Sequence, residues 1–285
     1  MNILVTGGSG FVGSALCKAL QAENFVVYGT ARSPSGSQGS LNHIDWDCRE
    51  PLPRKKLPAD IDCIVHAAAT MDRSMSAVDM FRVNTFSTLE LLQYARETRV
   101  KKFIFLSSGA VYGYRDSAIT EDTPMHPSEF YGLTKQESEL LVSHYDQYLP
   151  TAVMRLFFPY GEGQVRGIIP RLFESVQQGL PITLYNNGNP VINPIYIGDI
   201  ITLIKEFIVK DHRQVINVCG SEMVTIKDIS DAIGKELGML PVYNNEVNET
   251  IGNMLGSNDR LKADFSWPIT PFFEGLSRYI QWRMQ

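Results

Sequence analysis

Basic side chains are in the minority in this chain: its 285 residues include 26 Lys and Arg against 31 Asp and Glu, a formal charge of −5. A nucleic-acid surface neutralises phosphates with clustered cations, so nucleic acid is not an expected partner. Cysteine is scarce as well. Cys17, Cys48, Cys63 and Cys219 are scattered, with no CxxC pair and no metal-knuckle spacing. They read as free thiols of a reducing cytosol, and no metal site is expected. No apolar run approaches the roughly 20 residues of a membrane span, so the membrane is not an expected partner either. The first strand-like segment begins at residue 2, which leaves no room for a signal peptide and points to a cytoplasmic protein. Internal repeats are lacking, and the nearest thing to low complexity is the polar loop Ser33–Ser40. What remains is an ordinary globular composition, 44% hydrophobic and 20% charged. It is long enough for a large core and a smaller appendage.

What the sequence does contain is concentrated first near its start. Ile3-Leu4-Val5 is a short, continuously apolar run of the kind that forms a buried parallel strand. Phe11, Val12, Ala15, Leu16, Ala19 and Leu20 then recur at helical spacing. Between them lies Thr6-Gly7-Gly8-Ser9-Gly10-Phe11-Val12-Gly13. A strand, a glycine turn and a helix N-terminus make an anion site, because free backbone N–H groups and the helix dipole both favour negative charge. Gly7 permits the tight turn, Gly10 lets a pyrophosphate approach the backbone, and Gly13 lets the helix lie close to the strand. The strand before and the helix after supply the context that such a motif requires.

Phe25–Thr30 reads as a second strand ending at Ala31-Arg32-Ser33. A carboxylate here would accept hydrogen bonds from a free adenine-ribose hydroxyl, whereas an arginine accommodates a 2′-phosphate. Arg32 followed by Ser33 therefore favours NADP(H), with NAD(H) left open. His43–Cys48 reads as a third strand ending near the adenine at Asp47 and Cys48. Ile61–His66 reads as a fourth, followed by Ala67, Ala68 and Ala69, small enough for a cofactor to lie against the backbone. His66 itself reads as a core residue. A long helix is expected from Ser74 to Thr98, with Asn84 as a polar brace inside it.

Lys101–Leu106 leads into Ser107-Ser108-Gly109-Ala110-Val111-Tyr112-Gly113. Ligands of open parallel sheets bind outside the carboxyl ends of the strands, so Ser108, Gly109 and Ala110 are candidates for substrate contact. The polar loop Glu121–Pro127 reads as a substrate lid. The helix that follows carries Tyr131 and Lys135 four residues apart on one face. A phenol titrates near 10, and a neighbouring ammonium is expected to pull that value down. Tyr131 would then exchange a proton, Ser108 would hold a carbonyl or alkoxide, and a nicotinamide would exchange a hydride. Beyond a sixth strand, Ala152–Phe158, the pattern changes to short strands at Ile182–Leu184 and Val191–Tyr196 and separate helices. Two of these run from Ile168 and from Asp199. A third is capped by Thr225 and stopped by Gly238, and a last one spans Phe272 to Trp282.

Taken together, these residues resemble the extended short-chain dehydrogenase/reductase family, the NAD(P)-dependent sugar epimerase/dehydratase group. Residues 6–13 look like its TGxxGxxG turn, Ser108 with Val111-Tyr112-Gly113 like its catalytic strand end, and Tyr131-Gly132-Leu133-Thr134-Lys135 like its YxxxK helix. Asp47, Asn84, Tyr160-Gly161 and Tyr196-Ile197-Gly198-Asp199 fall where that family has structural and cofactor positions. The resemblance implies a Rossmann-type α/β fold, a doubly wound parallel sheet with a smaller α/β C-terminal substrate cap. The expected division is residues 1–160 for the dinucleotide-binding domain, with a strand and helix returning from the second half, and 161–285 mainly for the cap. It implies Ser108, Tyr131 and Lys135 as catalytic residues. It implies a cofactor held by Gly7, Gly10, Phe11, Val12, Arg32, Ser33, Asp47, Cys48, Ala67, Ala68, Ala69, Tyr131, Lys135 and Phe158.

Departures from the family pattern narrow the chemistry. The family's dehydratases resemble one another in having carboxylates where this chain has Gly109 and Ala110, and its 3,5-epimerising reductases have a cysteine at the Ala110 position. What is left is plain hydride transfer. With Arg32 in place of an acidic residue, the expectation is an NADPH-dependent reductase of a keto-sugar, its substrate a small molecule and expectedly nucleotide-linked. The alternatives are an NAD(P)-dependent nucleotide-sugar 4-epimerase and a non-catalytic NADP-sensing protein. Family members often present an arginine to the substrate diphosphate. Asn193 stands in that stretch here, and Arg171 is a substitute candidate. The resemblance also implies a homodimer through the helices near 74–98 and 128–148.

Overall fold

A computed structural model of the chain describes residues 1–32, 42–115, 117–186, 188, 190–247, 252–266 and 268–285. They form two compact units. One comprises Met1–Val111, Met125–Arg155 and Ile201–Ile216, the other Tyr112–Pro124, Leu156–Ile200 and Asn217–Gln285.

The first unit is built on a seven-stranded sheet. Its strands are β1 (Asn2–Thr6), β2 (Val26–Ala31), β3 (Asn42–Asp45), β4 (Cys63–His66), β5 (Lys102–Ser108), β6 (Thr151–Leu156) and, after an intervening pair that belongs to the other unit, β9 (Val215–Val218). Their spatial order is β3-β2-β1-β4-β5-β6-β9. The ladders β1–β2, β2–β3, β1–β4 and β4–β5 are parallel. Ile3, Leu4, Val5, Cys63, Ile64, Val65, Phe103, Ile104 and Phe105 are fully buried, as strands covered on both faces must be. The chain moves outward from β1 to β3, then returns to the other side of β1 to lay down β4. That reversal is a topological switch point, where Thr6 pairs in register with His66 and the glycine turn emerges. Together with its flanking helices this is the Rossmann-type fold expected from the sequence.

Helix α1 (Phe11–Ala22) turns Gly13, Leu16, Cys17 and Leu20 inward, following the expected apolar spacing. The single helix expected over 74–98 proves to be three pieces: α2 (Ala77–Phe81), a π-helical turn (Arg82–Phe86) and α3 (Ser87–Thr98). At the widened turn the Asn84 carbonyl accepts from the hydroxyls of Thr88 (2.9 Å) and Ser138 (2.8 Å). Helix α4 (Phe130–Tyr145) follows.

The second unit carries two small sheets. One pairs β7 (Pro181–Tyr185) with β11 (Val242–Glu246) in parallel, the other β8 (Val191–Ile192) with β10 (Val224–Thr225) in antiparallel. Its helices are α5 (Ile168–Gln178), α7 (Ile226–Leu237), α8 (Asp259–Asp264) and α9 (Phe272–Arg283); α6 (Ile197–Val209) runs from this unit into the first. Thr225 forms a full capping box on α7, and Gly238 ends it at φ 66°, both as the sequence indicated. The strand expected over 191–196 lasts only two residues. Pro194 has no N–H to donate, and the chain instead folds so that Asn193 bridges neighbouring loops. Strand β11 was not anticipated, because its Asn244-Asn245 pair is poor strand material. All four cysteines are unpaired, and among the described residues no helix is long and apolar enough to cross a membrane.

Candidate active site

The glycine turn is held by contacts that admit no side chain. A Cβ on Gly13 would lie 2.1 Å from the Gly7 carbonyl oxygen, and one on Gly7 would lie 2.8 Å from the Ala68 Cα. Helix α1, β1 and the segment after β4 therefore meet backbone to backbone. Gly10 is the N-cap of α1, and no side chain caps the helix. The first-turn amides, those of Phe11 and Val12 included, thus have no side-chain acceptor, and Ser9 and Gly10 are exposed. Ala67 and Ala69 are open to different degrees beside them, with Ala68 buried. A tight turn leading into a helix N-terminus with no side-chain cap, open at Gly10 and flanked by alanines at the switch point, suits a dinucleotide pyrophosphate.

At the ends of β2 and β3, the positive charge of Arg32 acts on both Asp47 and Cys48, which places these three expected cofactor residues together. The Asp47 carboxylate is held below its usual range, first by its hydrogen bonds from Arg49 (2.6 Å at the closest), with Arg32 contributing less. Burial pushes the Cys48 thiol up to about 12. Ser33 lies outside the described residues.

Ser108 ends β5, and its hydroxyl accepts from the Ala110 amide at 3.2 Å in the tight turn Gly109–Tyr112. Helix α4 is pressed onto this turn at a glycine: a Cβ on Gly132 would lie 2.5 Å from the Ala110 carbonyl oxygen. That approach brings Tyr131 alongside Ser108, near enough for the serine hydroxyl to favour the phenolate. Gly132 went unremarked in the sequence as a positioning element; its place between Tyr131 and Leu133 in a helix that needs no glycine was the available signal. One turn on, Lys135 is 2% exposed. Its ammonium donates to the Leu106 carbonyl at 2.7 Å and stands 4.4 Å from the centre of the Phe105 ring.

The electrostatics correct one expectation. Tyr131 is not drawn down by Lys135; burial raises it to about 12, against a smaller lowering by the Ser108 hydroxyl. Lys135 is itself pushed down to about 7 by burial, against the pull of Glu139. Desolvation outweighs the cation because Lys135 is aimed at a backbone carbonyl and is losing its own charge near neutrality.

A buried chain of hydrogen bonds supports the pair from below. The Asn84 side chain accepts from the Thr70 amide (2.8 Å) and donates to the Thr70 carbonyl (3.0 Å) and the Thr134 hydroxyl (3.0 Å), which in turn donates to the Tyr131 carbonyl (2.7 Å). The brace expected at Asn84 is therefore present. On its other side, Thr88 donates to the Asn84 carbonyl and so accepts from His66 Nε2 (3.0 Å), leaving Nδ1 to accept from Thr6 (2.6 Å). Thr6 also accepts from the Ala68 amide (3.2 Å), so one chain of bonds ties the cofactor turn to the tyrosine helix.

The remaining candidates lie in the second unit. Phe158 is half-buried at φ 45°, and Arg171 is exposed on α5. Asn193 is not an open ligand: its amide donates to the carbonyls of Gly256 (2.7 Å) and Gly220 (3.2 Å) and accepts from the Gly256 N–H (3.1 Å). It is committed to holding loops together. Among the described residues no cluster of His, Cys, Asp or Glu could hold a metal ion.

A Rossmann-type sheet with a glycine turn at its switch point, a serine at the end of β5 and a tyrosine–lysine pair on α4 defines a nucleotide-dependent oxidoreductase scaffold. The model of the NAD dependent epimerase/dehydratase family matches residues 3–219, and the chain belongs to that family. The low-salt glycan biosynthesis protein Agl12 of Haloferax volcanii is 33% identical over 217 residues, 70% of each chain. A putative UDP-glucose 4-epimerase of Methanocaldococcus jannaschii is 25% identical over 98% of this chain and 97% of its own. The crystal structure of UDP-glucuronic acid 4-epimerase from Bacillus cereus, in complex with UDP-glucuronic acid and NAD, superposes with a TM-score of 0.88 at 26% identity, covering 99% of this chain and 98% of that one.

Proposed function

We propose that the protein is a nucleotide-sugar 4-epimerase, which oxidises one ring carbinol and reduces the resulting ketone from the opposite face. The observation that carries this reading is the placing of Tyr131 alongside Ser108 by the close approach of Gly132 to Ala110, where the adjacent turn offers only Gly109 and Ala110. One acid/base group sits beside the strand end, enough for a proton to follow a hydride and no more. The relatives described as UDP-sugar 4-epimerases support it.

A nicotinamide dinucleotide, when bound, supplies the hydride acceptor and donor; Gly7, Gly10, Phe11, Val12 and Ala67–Ala69 would hold it. The chain's own groups handle the proton. As the carbinol C–H bond breaks, its O–H proton passes to Tyr131 in its phenolate form; when hydride returns, the phenol so formed gives that proton back to the alkoxide, and the sum is an inversion with no net redox change. Ser108 orients the oxygen. With the phenol at about 12 and the ammonium at about 7, the phenolate is the minor form of Tyr131 at rest and the oxidation step draws on that fraction, while Lys135 titrates near working pH.

A second reading, an NADPH-dependent reductase of a nucleotide-linked keto-sugar, is favoured by Arg32 at the end of β2, next to an Asp47 already neutralised by Arg49. One assay separates the two. An epimerase interconverts UDP-glucose and UDP-galactose, or the corresponding uronates, with no net change at the reduced-nicotinamide absorbance band. A reductase consumes NADPH stoichiometrically with a keto-sugar. Consumption of NADPH without any epimerisation refutes the first reading. The homodimer is proposed on the exposed apolar side chains of α2 to α4, among them Val78, Phe81, Phe130, Leu133 and Leu140; light scattering on purified protein tests it.

A further inference from the structure

One buried charged cluster of the first unit is not used by the reaction as proposed. Tyr131, Lys135 and Glu139 stand at successive four-residue intervals on α4, so their side chains share one face of the helix. Glu139 is only 5% exposed. Its carboxylate is gripped by Arg155 of β6 through Nη2 (2.6 Å) and Nε (3.0 and 3.1 Å), and Ser107 of β5 donates to it as well. Ser107 immediately precedes Ser108, so adjacent residues of one strand serve the carboxylate and the phenol.

A buried ion pair does little for stability that apolar packing could not do. Here, however, the carboxylate lies one helical turn from a lysine cut off from solvent. The charged and titratable groups that interact with Lys135 are Glu139 on its own helix and His66 on β4; Tyr131 stands one turn before it, and Arg155 reaches Glu139 from β6. The β5 side contributes only the Leu106 carbonyl and the Phe105 ring. His66 is neutral, with one ring nitrogen donating and the other accepting. Glu139, one helical turn on, is the acidic group that favours the lysine's charged form.

We infer that Glu139 is a positioning residue of the site: its carboxylate, anchored by Arg155 and Ser107, is the fixed counter-charge that favours the Lys135 ammonium and keeps it aimed at the Leu106 carbonyl. This rests on the proposed role of Lys135, but its test does not depend on turnover.

The experiment follows the Lys135 Nζ resonance by NMR in full-length protein labelled with 15N at lysine Nζ, assigned by its disappearance in Lys135→Met. Glu139→Gln alone takes away the carboxylate that Arg155 grips and is expected to destabilise the protein, so the decisive variant is E139Q/R155M, which removes both charges. The titration midpoint of Lys135 is expected to fall by about one pH unit or more in the double variant, with the melting temperature near that of wild type. Where turnover is measurable, the alkaline limb of kcat should move by the same amount. An unchanged midpoint in the folded double variant overturns the inference, because Arg155 would then cancel Glu139 at the lysine. Should the double variant not fold, Glu139→Asp retracts the carboxylate by one methylene. A lowered midpoint there supports the inference, and an unchanged one overturns it. A shifted midpoint in a protein that turns over no nucleotide sugar would reject the proposed function and leave the inference standing.

Discussion

His66 makes the protein acid-sensitive in a calculable way. Its ring is fully buried against Phe103 and Phe105, and burial, with a smaller push from the Lys135 ammonium, holds it down at about 3. In the unfolded chain it titrates near its ordinary value of about 6.5. Between these values the unfolded state carries one proton that the folded state refuses, so stability falls as pH falls, by about 1.4 kcal/mol per pH unit. From pH 6.5 down to pH 4.5 the loss is about 2 to 3 kcal/mol, a substantial part of the roughly 5–15 kcal/mol that holds a domain together. Lys135, at about 7, is largely protonated in both states across this window and adds little to the slope. Asp47 and Asp62, held low chiefly by hydrogen bonds from Arg49 and Lys101, act mainly below it. The comparison is with His66→Gln, whose amide can accept from Thr6 and donate to Thr88 without a titrating proton. Urea denaturation across the window should show wild type losing stability more steeply than the variant by that amount. Parallel slopes, or an NMR titration of His66 near 6.5, would refute the reasoning.

Three further outcomes are expected. Gly13→Ala drives a methyl group to within 2.1 Å of the Gly7 carbonyl oxygen, so α1 must move off the turn. The expected cost is about 1–3 kcal/mol in denaturation, with loss of dinucleotide affinity by calorimetry. Asn84→Ala strands the Thr70 amide and carbonyl and the Thr134 hydroxyl; it should cost about 2–4 kcal/mol and lower kcat through Tyr131 without changing which sugar is accepted. Tyr131→Phe removes the proton carrier and should reduce turnover by about 10²–10⁴-fold while leaving dinucleotide binding close to wild type.

Much of the first unit was legible because its signals are local. A continuous apolar run, three glycines at fixed offsets and a helical apolar repeat lie within twenty-odd residues, and together they specify a strand, an anion turn and a helix. The Tyr131–Lys135 pair was equally visible, since helical spacing alone puts the two on one face. The π turn at Asn84 was not, because a widened turn leaves the apolar repeat almost unchanged. The role of Gly132 could not be read without knowing that Ala110 would be packed against it. Asn193 misled for a related reason: a polar residue in a substrate-like stretch looks available until its amide is seen to be spent on Gly220 and Gly256.

The sequence by itself determined the kinds of groups present, the elements that carry them and the switch point where a dinucleotide can sit, since these follow from periodicity, glycine and short-range spacing. Only the tertiary structure decided their charge states. The phenol rises and the ammonium falls because packing removes both from water, and the depth of burial around Tyr131 and Lys135 is set by strands and helices far apart in the chain. Arg155 and Glu139, separated by a strand connection, become a buried pair for the same reason: electrostatics depend on distance and solvent in space, and neither is written in the order of residues.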